Sequence, residues 1–355
     1  MKSIIQQDIA SIVAEPLPWE VFSGSKVLVT GAAGFLPAYM VETLMFLNEF
    51  VLAQPALVVA LVRNEERARA RFANFANRDD LRIVVQSVSS PLTVTTEFDY
   101  IIHAASQASP RFYRTDPVGT LSANVLGTYH LLNAAIGSFC KGFLFFSSGD
   151  VYGTVKGASS AIREDEGGFL DPTDVRSCYG ESKRMGETMC VSWAQQYGVP
   201  TRIVRPFHTY GPGMKLDDGR VFADFVRDIL NGGPIALHSD GSARRSFCYL
   251  ADATAGFFTV LLKGEVGQAY NVANPDQECS IAELADRLAL VYECKDIRVE
   301  RRSRVDSVYV PSPIVGTHPS VEKLRTLGWR AHRTIEEGFK RTVESYQELR
   351  INSPQ

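Results

Sequence analysis

Lys26–Leu44 reads KVLVTGAAGFLPAYMVETL: an apolar strand, a glycine turn and an apolar helix, in that order. The strand is too continuously apolar to have one wet face, as expected in a parallel sheet covered on both sides. Gly31 and Gly34 let the backbone turn tightly, so that N–H groups and a helix N-terminus can approach a pyrophosphate. Pro37 stands where a third glycine is often found, and proline is tolerated in a first helical turn. An ordinary strand-to-helix turn would use the same two glycines, so the rest of the chain must decide.

That context is regular. KVLVT, ALVVALV, RIVVQSV, YIIHAA, GFLFFSS and TRIVRPF are strand candidates rich in Val, Ile, Leu and Phe. LPAYMVETLMFLNE, EERARARFANFA, TLSANVLGTYHLLNAAIGSF and GESKRMGETMCVSWAQQYG are helical patterns that separate most of them. Alternation of this kind predicts an α/β fold, a doubly wound parallel (Rossmann) sheet. After about Gly211 the elements shorten and Gly, Pro and Asp become commoner, which predicts a smaller C-terminal substrate-binding domain. The expected organisation is an N-terminal extension over 1–24, holding a short amphipathic helix, and a dinucleotide-binding domain over 25–205. Residues 206–355 would form mainly the substrate domain, with a segment near 244–262 returning to the first.

Composition narrows the class. The chain has 355 residues and a net charge of −3, with 45% hydrophobic and 22% charged residues, ordinary for a soluble globular protein. Nothing there favours nucleic acid or an anionic membrane. Asp8 and Glu15 interrupt any secretory core, and Asn48 and Glu49 break the longest apolar run. Cysteines 140, 178, 190, 248, 279 and 294 have neither disulfide-framework nor metal spacing, so free thiols, no metal and a cytoplasmic setting are expected.

Two stretches carry chemistry. FLFFSSGDVYG, Phe143–Gly153, joins a buried strand to two serines, a glycine and Asp150, at the strand end where open parallel sheets bind ligands. SCYGESKRMGETM places Tyr179 and Lys183 four apart, on one face of a helix. An ammonium beside a phenol favours the phenolate, making tyrosine a usable base near neutral pH. Arg63 ends the second strand where an acid would hold the ribose of NAD. An arginine there accommodates a 2′-phosphate or simply lies on the adenine ring. Asp150 has a plainer reading too, as a turn acid capping local N–H groups.

Together these stretches resemble the extended short-chain dehydrogenase/reductase family of nucleotide-sugar enzymes, from about Lys26 to Tyr346. Within it the chain looks most like the UDP-glucuronate decarboxylases, through ASPRFYRTDPVGTLSANVLGT, CYGESKRMGETMC, TYGPGMKLDDGRVFADFV and GSARRSFCYLADATAGF. The resemblance implies that Tyr179, with Ser148 and Lys183, oxidises the sugar at C4 with bound NAD, and that Asp150 faces C5 and C6. Cofactor contacts are implied for Gly31, Ala33, Gly34, Phe35, Leu36, Arg63, Ser87, Val88, Ala104, Ala105, Ser106, Asn124, Tyr179, Lys183 and Pro206. Substrate contacts are implied for Pro110, Tyr113, Ser148, Gly149, His208, Arg220, Val221 and Arg245, with Arg245 meeting the diphosphate or a sugar carboxylate. A surface ion pair is the plainer role for Arg245.

The departures from the family pattern matter. Gly149 and Asp150 stand where the dehydratases carry Asp–Glu and the decarboxylases Ser–Glu. His208 replaces an asparagine and Thr317 an arginine on the nucleotide side. Ser87 replaces an adenine-binding Asp, which with Arg63 leaves NADP open. Decarboxylation of UDP-glucuronate to UDP-xylose is the expected reaction, with 4-epimerisation and then 4,6-dehydration as the alternatives. A dinucleotide-binding sensor is the non-enzyme alternative. A homodimer through the helices of TLSANVLG and GESKRMGE is expected.

Overall fold

A computed structural model describes residues 3–94, 97–155, 161–292, 297–302 and 316–352. Cys294 lies outside them, as does the side chain of Thr317. Six strands follow the sequence reading closely: β1 Lys26–Thr30, β2 Leu57–Val62, β3 Leu81–Val85, β4 Tyr100–His103, β5 Gly142–Phe146 and β6 Thr201–Pro206. With β10 (Ala269–Val272) they form one parallel sheet, ordered β10-β6-β5-β4-β1-β2-β3. The sheet therefore draws its last strand from beyond the 244–262 segment expected to return to it.

The continuous apolar strands are explained by two cores. Val27, Val29, Val58, Ala60, Ile102, Leu144 and Val204 point to one face, covered by α2 (Phe35–Phe50) and α8 (Leu250–Lys263). Leu28, Val59, Leu61, Ile101, Phe143, Phe145 and Ile203 point to the other, covered by α5 (Pro117–Gly137) and α6 (Cys178–Tyr197). Side chains alternate along a strand, so burying both faces requires an apolar residue at nearly every position. Short helices α3 (Glu65–Arg71) and α4 (Pro110–Thr115) follow β2 and β4. Helix α3 stops sooner than its periodicity predicts, passing into a tighter turn over Ala73–Phe75.

Smaller units follow β6. β9 (Arg244–Tyr249) pairs with β7 (His208–Tyr210), β11 (Glu278–Ser280) and β13 (Gly316–Thr317), and β8 (Ile235–Leu237) with β12 (Val299–Arg301). Helices α7 (Val221–Leu230), α9 (Ile281–Val291) and α11 (Ile335–Asn352) pack around them, and the short α10 (Glu322–Arg325) lies against β10. Helix α1 (Ile4–Val13) docks on α2, α8 and α11, with Asp8 fully buried. Among the described residues, no helix is long and apolar enough to cross a membrane.

Candidate active site

The sheet's carboxyl edge gathers most of the residues singled out from sequence. At the end of β1, Gly31 has φ +65°, and a Cβ there would lie 2.8 Å from the Cα of Ala105. Only glycine meets both conditions. Gly34 caps α2 without a side-chain hydrogen bond, leaving the first-turn N–H groups of Phe35 and Leu36 to an external acceptor. Beside that turn, Ala33, Gly34, Phe35, Arg67, Ala70, Arg71 and Gly213 line a cavity of about 260 Å³. Past β4, the Ser106 hydroxyl is buried without a hydrogen-bond partner among the described residues, as is the Oδ1 of Asn124 on α5. The glycine cradle, the open helix N-terminus and these orphaned polar atoms fit a dinucleotide. Arg63 is exposed at the end of β2; Asp116, the cap of α5, has its pKa lowered by hydrogen bonds from Gln107 and the Gly119 N–H, with the charge of Arg63 adding to them. Ser87 is exposed, whereas Val88 packs in the core against Gly127. Ala104 lies at the exit of β4, and Pro206 ends β6.

The chain leaving β5 meets the first turns of α6. Ser148 caps the tight turn Gly149–Tyr152, its hydroxyl accepting the Asp150 N–H at 3.2 Å, so the capping group is the serine and not Asp150. A hydrogen bond with Ser148 also favours the phenolate of Tyr179. Lys183 Nζ donates to the carbonyl of Phe146 at 2.7 Å and lies 5.7 Å from the Tyr179 ring centroid. One turn further, Glu187 accepts from Ser147 Oγ at 2.5 Å and from Arg205 at 2.8 and 2.7 Å. Tyr179, Lys183 and Glu187 thus form a stripe at i, i+4 and i+8.

The electrostatics correct one expectation. The Tyr179 phenol sits above its ordinary pKa, first through burial and then through the negative charge of Asp150; Ser148 and Arg220 oppose them. Burial pulls Lys183 down to about 7, with Glu187 pulling it back up. Spacing alone predicted an ammonium that depresses the phenol, but a buried ammonium is itself destabilised. Asp150 is raised by burial, against Arg176 and then Arg245.

The substrate side closes around this edge. Tyr113 on α4, three residues past its first residue Pro110, stacks on Tyr179 with ring centroids 4.9 Å apart. A Cβ at Gly149 would lie 2.8 Å from the ring of Phe207, so the space at 149 is filled by that ring. His208, on β7, is held neutral, its pKa lowered to about 3 by burial and by the charges of Arg245 and Arg220. Arg220 immediately precedes Val221, the first residue of α7, and pairs with Asp218. Arg245 is buried on β9, with Nη1 donating to the carbonyl of Arg244 at 2.7 Å.

Sequence reading missed four residues here. Glu187 was findable from its helical spacing to Lys183. Arg67 and Arg71 face the glycine loop from α3, where alternating acids and bases hide a ligand-facing side. Arg176 lies two residues before α6, in a turn that no periodicity marks.

Comparison with known proteins bears on the family and the fold. Residues 27–273 match the sequence profile of the NAD dependent epimerase/dehydratase family. UDP-glucuronic acid decarboxylase 6 of Arabidopsis thaliana is 31% identical over 335 residues, covering 94% of this chain and 91% of that protein. Among solved structures, UDP-N-acetylglucosamine 4-epimerase from Methanobrevibacter ruminantium M1, in complex with UDP-N-acetylmuramic acid, superposes with a TM-score of 0.79 at 22% identity, over 92% of this chain and 99% of that one. UDP-glucuronic acid 4-epimerase from Bacillus cereus, in complex with UDP-glucuronic acid and NAD, gives 0.74 at 21% identity, over 91% and 99%.

Proposed function

Because this chain belongs to the NAD dependent epimerase/dehydratase family, we propose that it oxidises a nucleotide sugar at C4 and decarboxylates UDP-glucuronate to UDP-xylose. The observation that carries the reaction is a single acid, Asp150, beside the Ser148–Tyr179 pair, with Gly149 packed on Phe207 where a second acid would stand. Dehydration needs both a proton donor for the departing C6 hydroxyl and a base at C5. Decarboxylation needs neither in strong form, since a C4 ketone makes the C6 carboxylate that of a β-keto acid.

NAD would supply a reversible hydride acceptor for C4. Gly31, the first turn of α2, Ser106 and Asn124 would hold it. The chain's own groups handle protons and position. Ser148 and Tyr179 receive the sugar 4-hydroxyl, Tyr179 taking its proton as general base. Lys183 steadies that end of the site, and Glu187 opposes the loss of its charge on burial. Asp150 orients the sugar, or a water that reprotonates C5 once carbon dioxide has left. Tyr113 closes the site beside the phenol.

Association and setting belong to the same reading. Val118, Leu121, Leu126, Tyr129 and Ile136 are exposed along one side of α5. Tyr129 meets Trp193 of α6 edge-on at 5.7 Å, next to exposed Met185 and Tyr197. An apolar face of this breadth supports a homodimer with an isologous contact. The described cysteines are unpaired, which supports a reducing, cytoplasmic setting.

The test is UDP-glucuronate labelled in its carboxyl carbon. Release of labelled carbon dioxide supports the proposal. An isomeric product that retains the label points to 4-epimerisation, for which Ser148, Tyr179 and Lys183 suffice.

A further inference from the structure

We propose that Arg176 is the specificity-determining residue for the carboxylate at C6 of the sugar, the group that separates a uronate from a neutral hexose. The assignment rests on the uronate reading above and gives Arg176 the carboxylate, one of the two groups that the family resemblance implied for Arg245.

Arg176 is held by local structure. It sits in the tight turn Val175–Ser177, where the side chain of Asp174 accepts its N–H at 2.9 Å. Helix α6 begins two residues later, so the backbone at 176 is fixed relative to Tyr179. The side chain lines a cavity of about 110 Å³ together with Pro110, Tyr113, Arg114, Asp174 and Val175. Tyr113, on the wall of that cavity, is the ring stacked on Tyr179. Arg176 therefore stands beside the reacting end of the sugar site, one ring away from Tyr179.

Its chemistry is incomplete as it stands. Nη1 of Arg176 is buried and has no hydrogen-bond partner among the described residues. Buried donors are nearly always paired, so an orphaned one on a side chain that lines a cavity next to the Tyr113–Tyr179 stack calls for an acceptor. A guanidinium offers planar, paired donors that match a carboxylate. Arg176 is also the largest of the charges opposing the rise in the pKa of Asp150, ahead of Arg245. A cation in that position offsets the repulsion between Asp150 and a second carboxylate brought in by the sugar. Arg245 is less suited to this task, being buried on β9 beside His208 with one donor spent on the carbonyl of Arg244. A C6 hydroxymethyl carries no charge and would leave the Arg176 donor poorly matched.

The test compares Arg176→Met and Arg176→Lys with the wild type. Equilibrium binding of UDP-glucuronate and of UDP-glucose is measured together with KM and kcat for UDP-glucuronate. Loss of a charge-assisted hydrogen bond predicts UDP-glucuronate binding weakened by about ten- to a hundredfold in Arg176→Met, with KM rising in step. UDP-glucose binding should stay within about twofold, which also reports that the variant is folded, and Arg176→Lys should recover part of the loss. Equal weakening for both nucleotides, or unchanged UDP-glucuronate binding, would overturn the assignment. Should the wild type fail to turn over UDP-glucuronate, the decarboxylase reading falls. Binding still decides the role of Arg176: wild-type affinity no greater for UDP-glucuronate than for UDP-glucose would overturn it alone.

Discussion

Tyr179, Lys183 and Glu187 show at the scale of single residues what spacing conveys and what it hides. Four-residue intervals put the three on one helix face, and that much was legible for Tyr179 and Lys183. Burial was not legible, and burial sets the sign of both shifts: the phenol rises and the ammonium falls. Tyr179→Phe should lower turnover by about 10²- to 10⁴-fold with little change in melting temperature, as steady-state assays and calorimetry would show. Glu187→Gln removes the charge that raises the pKa of Lys183, so the ammonium should be lost at lower pH. The alkaline limb of the kcat/KM profile should then move to lower pH; an unmoved limb would separate Glu187 from the chemistry. For Asp150→Asn, turnover should fall strongly while UDP-glucuronate still binds, as for a deficit confined to the reaction step. Its thermal stability should hold, since Ser148 caps the turn and burial disfavours the Asp150 charge. A drop of about 1 kcal/mol, typical of a lost cap, with turnover intact would return Asp150 to a structural role.

Among the elements, the strands were the most legible, because burial on both faces writes an apolar residue at almost every position. The role of α1 was the least. Its amphipathic pattern was visible, but Asp8 looked like a break in an apolar run. In the structure Asp8 accepts from Tyr39 of α2 at 3.0 Å, Tyr249 of β9 at 2.6 Å, and Arg341 of α11 at 2.6 and 3.1 Å. These partners lie 31, 241 and 333 residues away, beyond the reach of any local pattern. Removing one partner of a buried ion pair typically costs about 3–5 kcal/mol. Asp8→Ala should therefore destabilise the protein by an amount of that order in denaturant unfolding. A loss below about 1 kcal/mol would mean that α1 is an accessory rather than a staple.

Across the whole molecule, the glycine turn and the strand–helix alternation were enough to anticipate a doubly wound sheet. The recruitment of β10 was not anticipated, since a four-residue strand leaves little periodicity to read. The candidate site was legible where it lies on regular elements, as at Gly31, Ser148 and Tyr179. Where loops converge, as at Arg176, or where a distant ring fills the space, as Phe207 does at Gly149, three-dimensional contact decides. The exposed stripe on α5 carries a prediction at this scale. Light scattering at micromolar concentration should give the mass of a dimer, and Leu121→Lys with Tyr129→Lys should shift it toward the monomer. A monomeric wild type would leave that face without the proposed partner.

The central claim is that one bound NAD serves a closed cycle, with Tyr179 as base and carbon dioxide as the leaving group. It is tested most directly by the mass of the product formed when the purified protein is given UDP-glucuronate and no added cofactor. The account predicts a nucleotide sugar lighter by one carbon dioxide, over many turnovers. A product of unchanged mass, one lighter by water, or turnover only when cofactor is added in proportion would contradict it.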